Sequence, residues 1–203
     1  NVLSNVNLKD NKEILLCKPS LWNKIFRKDL LSSEMFVKTK IGEDMVIALT
    51  CMARATKVYY IDNIIYYYYF SEIGLSSSIN VNNILGIKST CITLKDQFVN
   101  DNNYSEYKEE IDFIFFSHII YRIMRSVLIM NKEDRMNVYK ELKGCLMEIE
   151  YKNNKYYKQK RHYKLANFFL LNNHIYHNPL FTKVCSVFLK NKTFNRLIRL
   201  LDK

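Results

Sequence analysis

Apolar residues along this chain change their spacing partway through it. From Glu43 to Arg54 they fall at Met45, Val46, Leu49, Met52 and Ala53, the three-and-four repeat of a helix with one buried face. Glu43 and Asp44 occupy its first turn, where carboxylates favour the positive end of the helix dipole. Val58–Ile61 and residues 64–70 are β-branched and aromatic and read as two short strands around Asp62 and Asn63. Residues 18–23 read as a further short strand, 26–31 as a helical turn, and 1–16 as a polar, unpatterned loop. After Ser78 the strand pattern stops. Helices are predicted over 80–99, 104–130 and 133–149, with breaks at Asp101-Asn102-Asn103 and at Asn131. Further helices are predicted over 156–174 and 178–201, the last started by Asn178 and by Pro179 at the first helical position. No internal repeat is visible. The expected architecture is an α/β portion over residues 1–79, followed by a mainly α-helical region over 80–203.

Composition refines this picture more than it changes it. With 203 residues, of which 48% are hydrophobic, the chain can bury a core as one large or two small domains. The net charge of +11 is unevenly placed. Residues 1–150 hold equal numbers of cations and anions, whereas residues 151–203 hold 12 Lys/Arg against the single acid Asp202. That asymmetry implies an anionic partner for residues 151–203, a membrane surface or nucleic acid, against the plainer reading of a solvated basic face. From Leu180 the apolar set Phe181, Val184, Cys185, Phe188 and Leu189 recurs at helical spacing, with Lys190, Lys192, Arg196 and Arg199 around it. A basic amphipathic helix of this kind lies in the headgroup region of an anionic bilayer. The interleaved tyrosines and cations over 156–164 also suit nucleic-acid strands, the weaker expectation. The alternative is that the apolar stripe packs on the preceding helices. No uncharged apolar run reaches the roughly 18–20 residues that span a bilayer. The five cysteines are scattered, with no zinc-like spacing, and read as free thiols in a reducing cytoplasm.

Candidate chemistry is sparse. His174 and His177 stand three apart without a third ligand nearby, so no metal site is assigned. His118 falls on the apolar face of the longest predicted helix and reads as a core histidine. Cys17 lacks a partner histidine and makes a poor nucleophile. No glycine-rich phosphate loop or Walker motif is present. What remains is three motifs in order: Ser20-Leu21-Trp22-Asn23-Lys24-Ile25-Phe26-Arg27, then Gly42-Glu43-Asp44, then Tyr66-Tyr67-Tyr68-Tyr69 with Gly74-Leu75-Ser76-Ser77-Ser78.

In this order and spacing the motifs resemble the second half of the catalytic domain of family-two glycosyltransferases, sugar-nucleotide-dependent enzymes of the GT-A fold. The resemblance covers residues 15–80. It implies an α/β fold for that portion, the acceptor-side half of a GT-A domain. It also implies transfer of a sugar from a nucleotide-sugar donor to a saccharide or lipid-linked acceptor hydroxyl, with inversion, in polysaccharide or glycoconjugate assembly. Asp44 then stands as the catalytic base and Glu43 as its neighbour, orienting it or binding acceptor hydroxyls; the alternative is that both merely satisfy the helix dipole. Trp22, Asn23 and Lys24 match the segment beside donor pyrophosphate and acceptor. Trp22 would offer a ring face to a sugar, and Lys24 a charge to the departing diphosphate. Ser76 and Ser78 are further candidates for substrate binding. The family's strand often continues with Arg after the last aromatic, but here Phe70 follows Tyr69, which departs from that pattern. A divalent metal, Mn or Mg, is implied as cofactor. Its ligands belong to an N-terminal nucleotide-binding half that is expected to lie outside this sequence, leaving the isolated chain inactive. The implied location is the cytoplasm, as a peripheral protein at the inner face of the cell membrane. The reading from a different class is a non-catalytic helical adaptor that binds anionic membrane surfaces through residues 151–203.

Overall fold

The computed structural model describes residues 2–36, 41–61, 64, 66–67, 80–129 and 131–190. Among these the chain is mainly helical, which overturns the expectation of an α/β GT-A portion. The strands β1 (Val2–Val6) and β2 (Val58–Ile61) pair only with each other, antiparallel, with Val6 opposite Val58 and Asn5 opposite Tyr59. A GT-A domain needs strands buried on both faces by helices, whereas Tyr59, Tyr60 and Ile61 are exposed. β1 also corrects the reading of residues 1–16 as a loop, since its partner β2 lies far along the chain. Residues 18–23 are not a strand but irregular chain that ends in a turn at Trp22 and Asn23. The Lys24 ammonium folds back onto the Lys18 and Ser20 carbonyls there, taking acceptors that a ladder would need. Of residues 64–70, Ile64, Tyr66 and Tyr67 are described and lie outside any strand; Tyr68, Tyr69 and Phe70 are outside the described residues.

The helices follow the predicted spacing more closely. They are α1 (Glu43–Arg54), α2 (Val81–Asn100), α3 (Tyr104–Ser126), α4 (Lys132–Met147), α5 (Lys155–Gln159), α6 (Arg161–Leu171), α7 (Asn173–Tyr176) and α8 (Pro179–Lys190). The predicted helix over 156–174 is thus broken into α5, α6 and α7. The first break falls at Lys160, whose backbone is extended and carries no side-chain cap. Asn172 explains the second, its side chain accepting from the His174 and Ile175 amides to restart a helix, as that of Asn154 does at the start of α5. Asn131 and Asn178 do the same for α4 and α8.

The chain divides into two compact units. The first comprises Asn1–Ser78 and Gly86–Ile114. At its centre lies α1, buried continuously from Met45 to Met52 rather than on one stripe. The segment from Leu21 to Met35 covers the face that the sequence pattern left to solvent, with Leu21, Phe26, Leu30 and Met35 packed around Ile47 and Cys51. A helix apolar all round requires such a cover. Arg54 at the end of α1 ties the cover down, with a paired hydrogen bond to Asp101 at 2.5 and 2.8 Å and further bonds to Leu30 O and Ser32 Oγ. In α3 the helix bends at Tyr107, whose φ of −109° is not helical. Lys12 Nζ donates to the neighbouring Glu106 carbonyl at 2.9 Å.

The second unit comprises Ile79–Leu85 and Phe115–Lys203. Its core is aromatic. Phe116 stacks on Tyr151 at 4.6 Å and meets Tyr157 and Tyr163 edge-on, while Tyr139 stacks on Tyr176 at 4.1 Å. The buried Tyr176 hydroxyl shares a hydrogen bond with Ser126 Oγ, which in turn donates to the Ile123 carbonyl.

Candidate functional site

The site is assembled in the first unit by the same cover that buries α1. Because Leu21 and Phe26 are anchored against Ile47 and Cys51, the intervening Trp22, Asn23 and Lys24 are held as a fixed turn. Ser20 is buried and its hydroxyl donates to Asn23 Oδ1 at 3.3 Å, while Lys24 Nζ donates to the same oxygen at 3.0 Å. Asn23 therefore orients the lysine.

Gly42 sets the direction of α1 at its other end. Its φ of +85° is left-handed, and a Cβ there would stand 2.8 Å from Thr90 Cγ2. Thr90 Oγ1 donates to the Ile41 carbonyl. A backbone position that is both left-handed and crowded admits only glycine. Asp44 follows two residues later, half-buried, with Oδ1 accepting from Met45 N–H at 2.9 Å. Burial is the chief cause that raises its carboxyl above the ordinary 3.8, and the charge of Glu43 adds to this; the Met45 amide and the Lys24 ammonium act against it. Glu43 itself is exposed.

Lys24 is the hub. Burial lowers its ammonium below the ordinary 10.5, opposed by the nearby Cys17 and Asp44. Cys17 is exposed as a residue, but its sulfur turns inward to 3.9 Å from Met52 Sδ. Burial there raises the thiol above 9.0 despite the Lys24 charge, so the neutral thiol is favoured and a nucleophilic role is not. From Lys24 the contacts run outward: the Lys18 carbonyl accepts from Lys24 Nζ, and the Lys18 ammonium sits 5.0 Å from the centre of the Trp22 ring. Trp22 stacks with Tyr66, centroids 5.2 Å apart at 30°. Contacts thus join Lys24, Asn23, Lys18, Trp22 and Tyr66, whereas the half-buried Asp44 is tied to Lys24 by charge alone and by no hydrogen bond or ion pair. Ser76 and Ser78 lie outside the described residues.

Sequence reasoning missed Lys18 and Thr90. Lys18 reaches the Trp22 ring only because of the path of the chain between them, and the bond from Thr90 to Ile41 spans 49 residues; neither leaves a mark in residue spacing. Elsewhere, burial and the Arg122 charge push the half-buried His118 imidazole down to about 4, which favours its neutral form at neutral pH. Among the described residues no three His, Cys, Asp or Glu side chains stand together as metal ligands. The divalent metal implied by the resemblance finds no ligand set among the described residues. A cleft of about 510 Å³ in the second unit is lined by residues of α4, Tyr151–Asn153 and α6. Of its two lysines and two asparagines, Lys143 bonds to Leu171 O and Asn173 Oδ1, and Asn167 accepts from the Tyr151 hydroxyl.

No protein-family model matches the chain, and no curated protein or solved structure matches it either.

Proposed function

We propose that this chain carries the acceptor-activating part of a glycosyl-transfer site, with Asp44 as the base. The observation that supports this reading most is the placement of Asp44 at the start of α1, half-buried and within reach of the charge of Lys24. A carboxylate whose protonation is raised by burial is a better proton acceptor than one in water. The acceptor hydroxyl would lose its proton to Asp44 as its oxygen attacks the anomeric carbon, and the nucleoside diphosphate would leave from the opposite face in one inverting displacement. Lys24 would offset negative charge near the reacting centre through its charge alone, since its three N–H groups already bond to Lys18 O, Ser20 O and Asn23 Oδ1. The exposed Tyr66 ring, stacked on Trp22, is aromatic surface of the kind that receives the apolar side of a saccharide. The saccharide or lipid-linked acceptor and the nucleotide-sugar donor are part of the proposal. The helical architecture of the chain carries no argument for it.

The test is transfer of labelled sugar from nucleotide-sugar donors to lipid-extract acceptors, using the native-length gene product and its Asp44→Asn form. Removal of a general base lowers turnover about a thousandfold, with acceptor binding largely kept. Transfer that survives in Asp44→Asn removes Asp44 as base. Absence of transfer by the unsubstituted protein under every donor favours the non-catalytic adaptor.

A further inference from the structure

The helix α8 is apolar on two faces: Leu189 is buried and Phe181 and Cys185 are half-buried on one, and the other is exposed. Its exposed positions, Leu180, Lys183, Val184, Val187 and Phe188, follow the i, i+3, i+4, i+7, i+8 stripe of a single helical face. Leu180 is 71% exposed and Val187 63%, whereas the polar Thr182 is 7% exposed and turns its hydroxyl to the Pro179 carbonyl. Apolar side chains therefore remain on the outer face of α8 after its inner face has packed. α6 repeats the arrangement: Arg161, Lys164, Leu165 and Phe168 form one exposed stripe, cations toward its N-terminal end and apolar groups toward its C-terminal end. The rings of Phe169 and Phe181 stack at 6.3 Å, so the two helices adjoin.

We propose that the paired faces of α6 and α8 form a docking surface for an anionic lipid bilayer. Charge selects this occupant. Residues 151–190 contain eight Lys/Arg and no Asp or Glu. Cations set among bulky aliphatic and aromatic side chains match the headgroup boundary, where phosphates meet the first methylenes of the acyl chains. A protein interface would deplete charge at its centre, and Leu180, Val184 and Val187 give a nucleic acid neither a hydrogen bond nor a stacking face. Among the described residues no helix is long and apolar enough to cross a membrane, so the contact is peripheral. It stands independently of the glycosyl-transfer reading, since it uses no residue of the Asp44 site.

Flotation of the full chain with vesicles tests it. Vesicles of phosphatidylcholine containing phosphatidylglycerol should carry the protein upward, those of phosphatidylcholine alone should not, and raised salt should weaken the binding. The variant Val187→Ser/Phe188→Ser should bind about tenfold or more weakly. Lys183→Glu should lower binding roughly thirtyfold, because one attraction is lost and one repulsion added. All three side chains are exposed, and circular dichroism verifies that the variants fold. Three results overturn the proposal: no flotation at low salt, flotation unchanged in these variants, or a solution dimer that the same substitutions dissolve while vesicle binding is absent. Retention on single-stranded RNA without vesicle binding would place a nucleic acid there instead.

Discussion

Substituting Gly42 by alanine tests the local geometry that aims Asp44. Two costs arise. A left-handed φ of +85° costs an L-residue about 1–2 kcal/mol. The new Cβ also meets Thr90 Cγ2 at 2.8 Å, closer than side-chain carbons approach, so Thr90 must turn and its bond to the Ile41 carbonyl is lost. That bond contributes about 1 kcal/mol. Gly42→Ala should therefore destabilise the first unit by about 2–3 kcal/mol. The two costs separate in a double-mutant cycle. Thr90→Ser deletes Cγ2 but keeps the hydroxyl, and the nearest remaining atom, Oγ1, stands at 3.3 Å. Gly42→Ala in that background should lose only the φ cost, giving a coupling of about 1 kcal/mol. Trp22 is the single tryptophan and belongs to this unit, so its fluorescence during urea unfolding reports that unit alone. A loss under about 0.5 kcal/mol, or a coupling indistinguishable from zero, would refute the reasoning.

Two further predictions concern the same unit. Asp44 holds its proton to higher pH in the fold than in the unfolded chain, near 3.8, so its burial costs nothing below that value. Stability is then lost as the pH rises through the folded value, and the full cost is carried at neutral pH. Asp44→Asn should accordingly melt higher than the unsubstituted protein at neutral pH, with the gain vanishing in acid; a lower melting temperature at neutral pH would contradict the assignment. Arg54 and Asp101 pair at 22% and 19% side-chain exposure. Arg54→Met strands the carboxylate and frees the Leu21–Met35 cover, at a cost of about 3–5 kcal/mol by urea unfolding; a loss below about 1 kcal/mol would mean that solvent already screens the pair.

Much of the helical framework was legible in the residues. Glu43–Arg54 has the bounds its apolar repeat implies, and the Asn178-Pro179 start of α8 follows from capping chemistry that acts within one turn. The excess of cations after residue 150 is likewise a property of composition. Trp22, Asn23, Lys24 and Asp44 stand out as candidates because they lie in local motifs; what the fold adds is their geometry, while their roles are proposed. The two-stranded ladder was not legible: β1 has no apolar alternation, and its partner β2 lies far along the chain.

Burial also escaped the sequence. The repeat in α1 marks one apolar face, and whether the opposite face meets water depended on where Leu21, Phe26, Leu30 and Met35 came to rest. That same placement brings Lys24 close enough for its charge to act on Asp44. In α8 the pattern was correct but its orientation was not implied by it: a stripe of Leu, Val, Val and Phe fits a core or a membrane equally well. Only the tertiary structure turned it outward, because a hydrophobic period determines which residues share a face and not which way that face points.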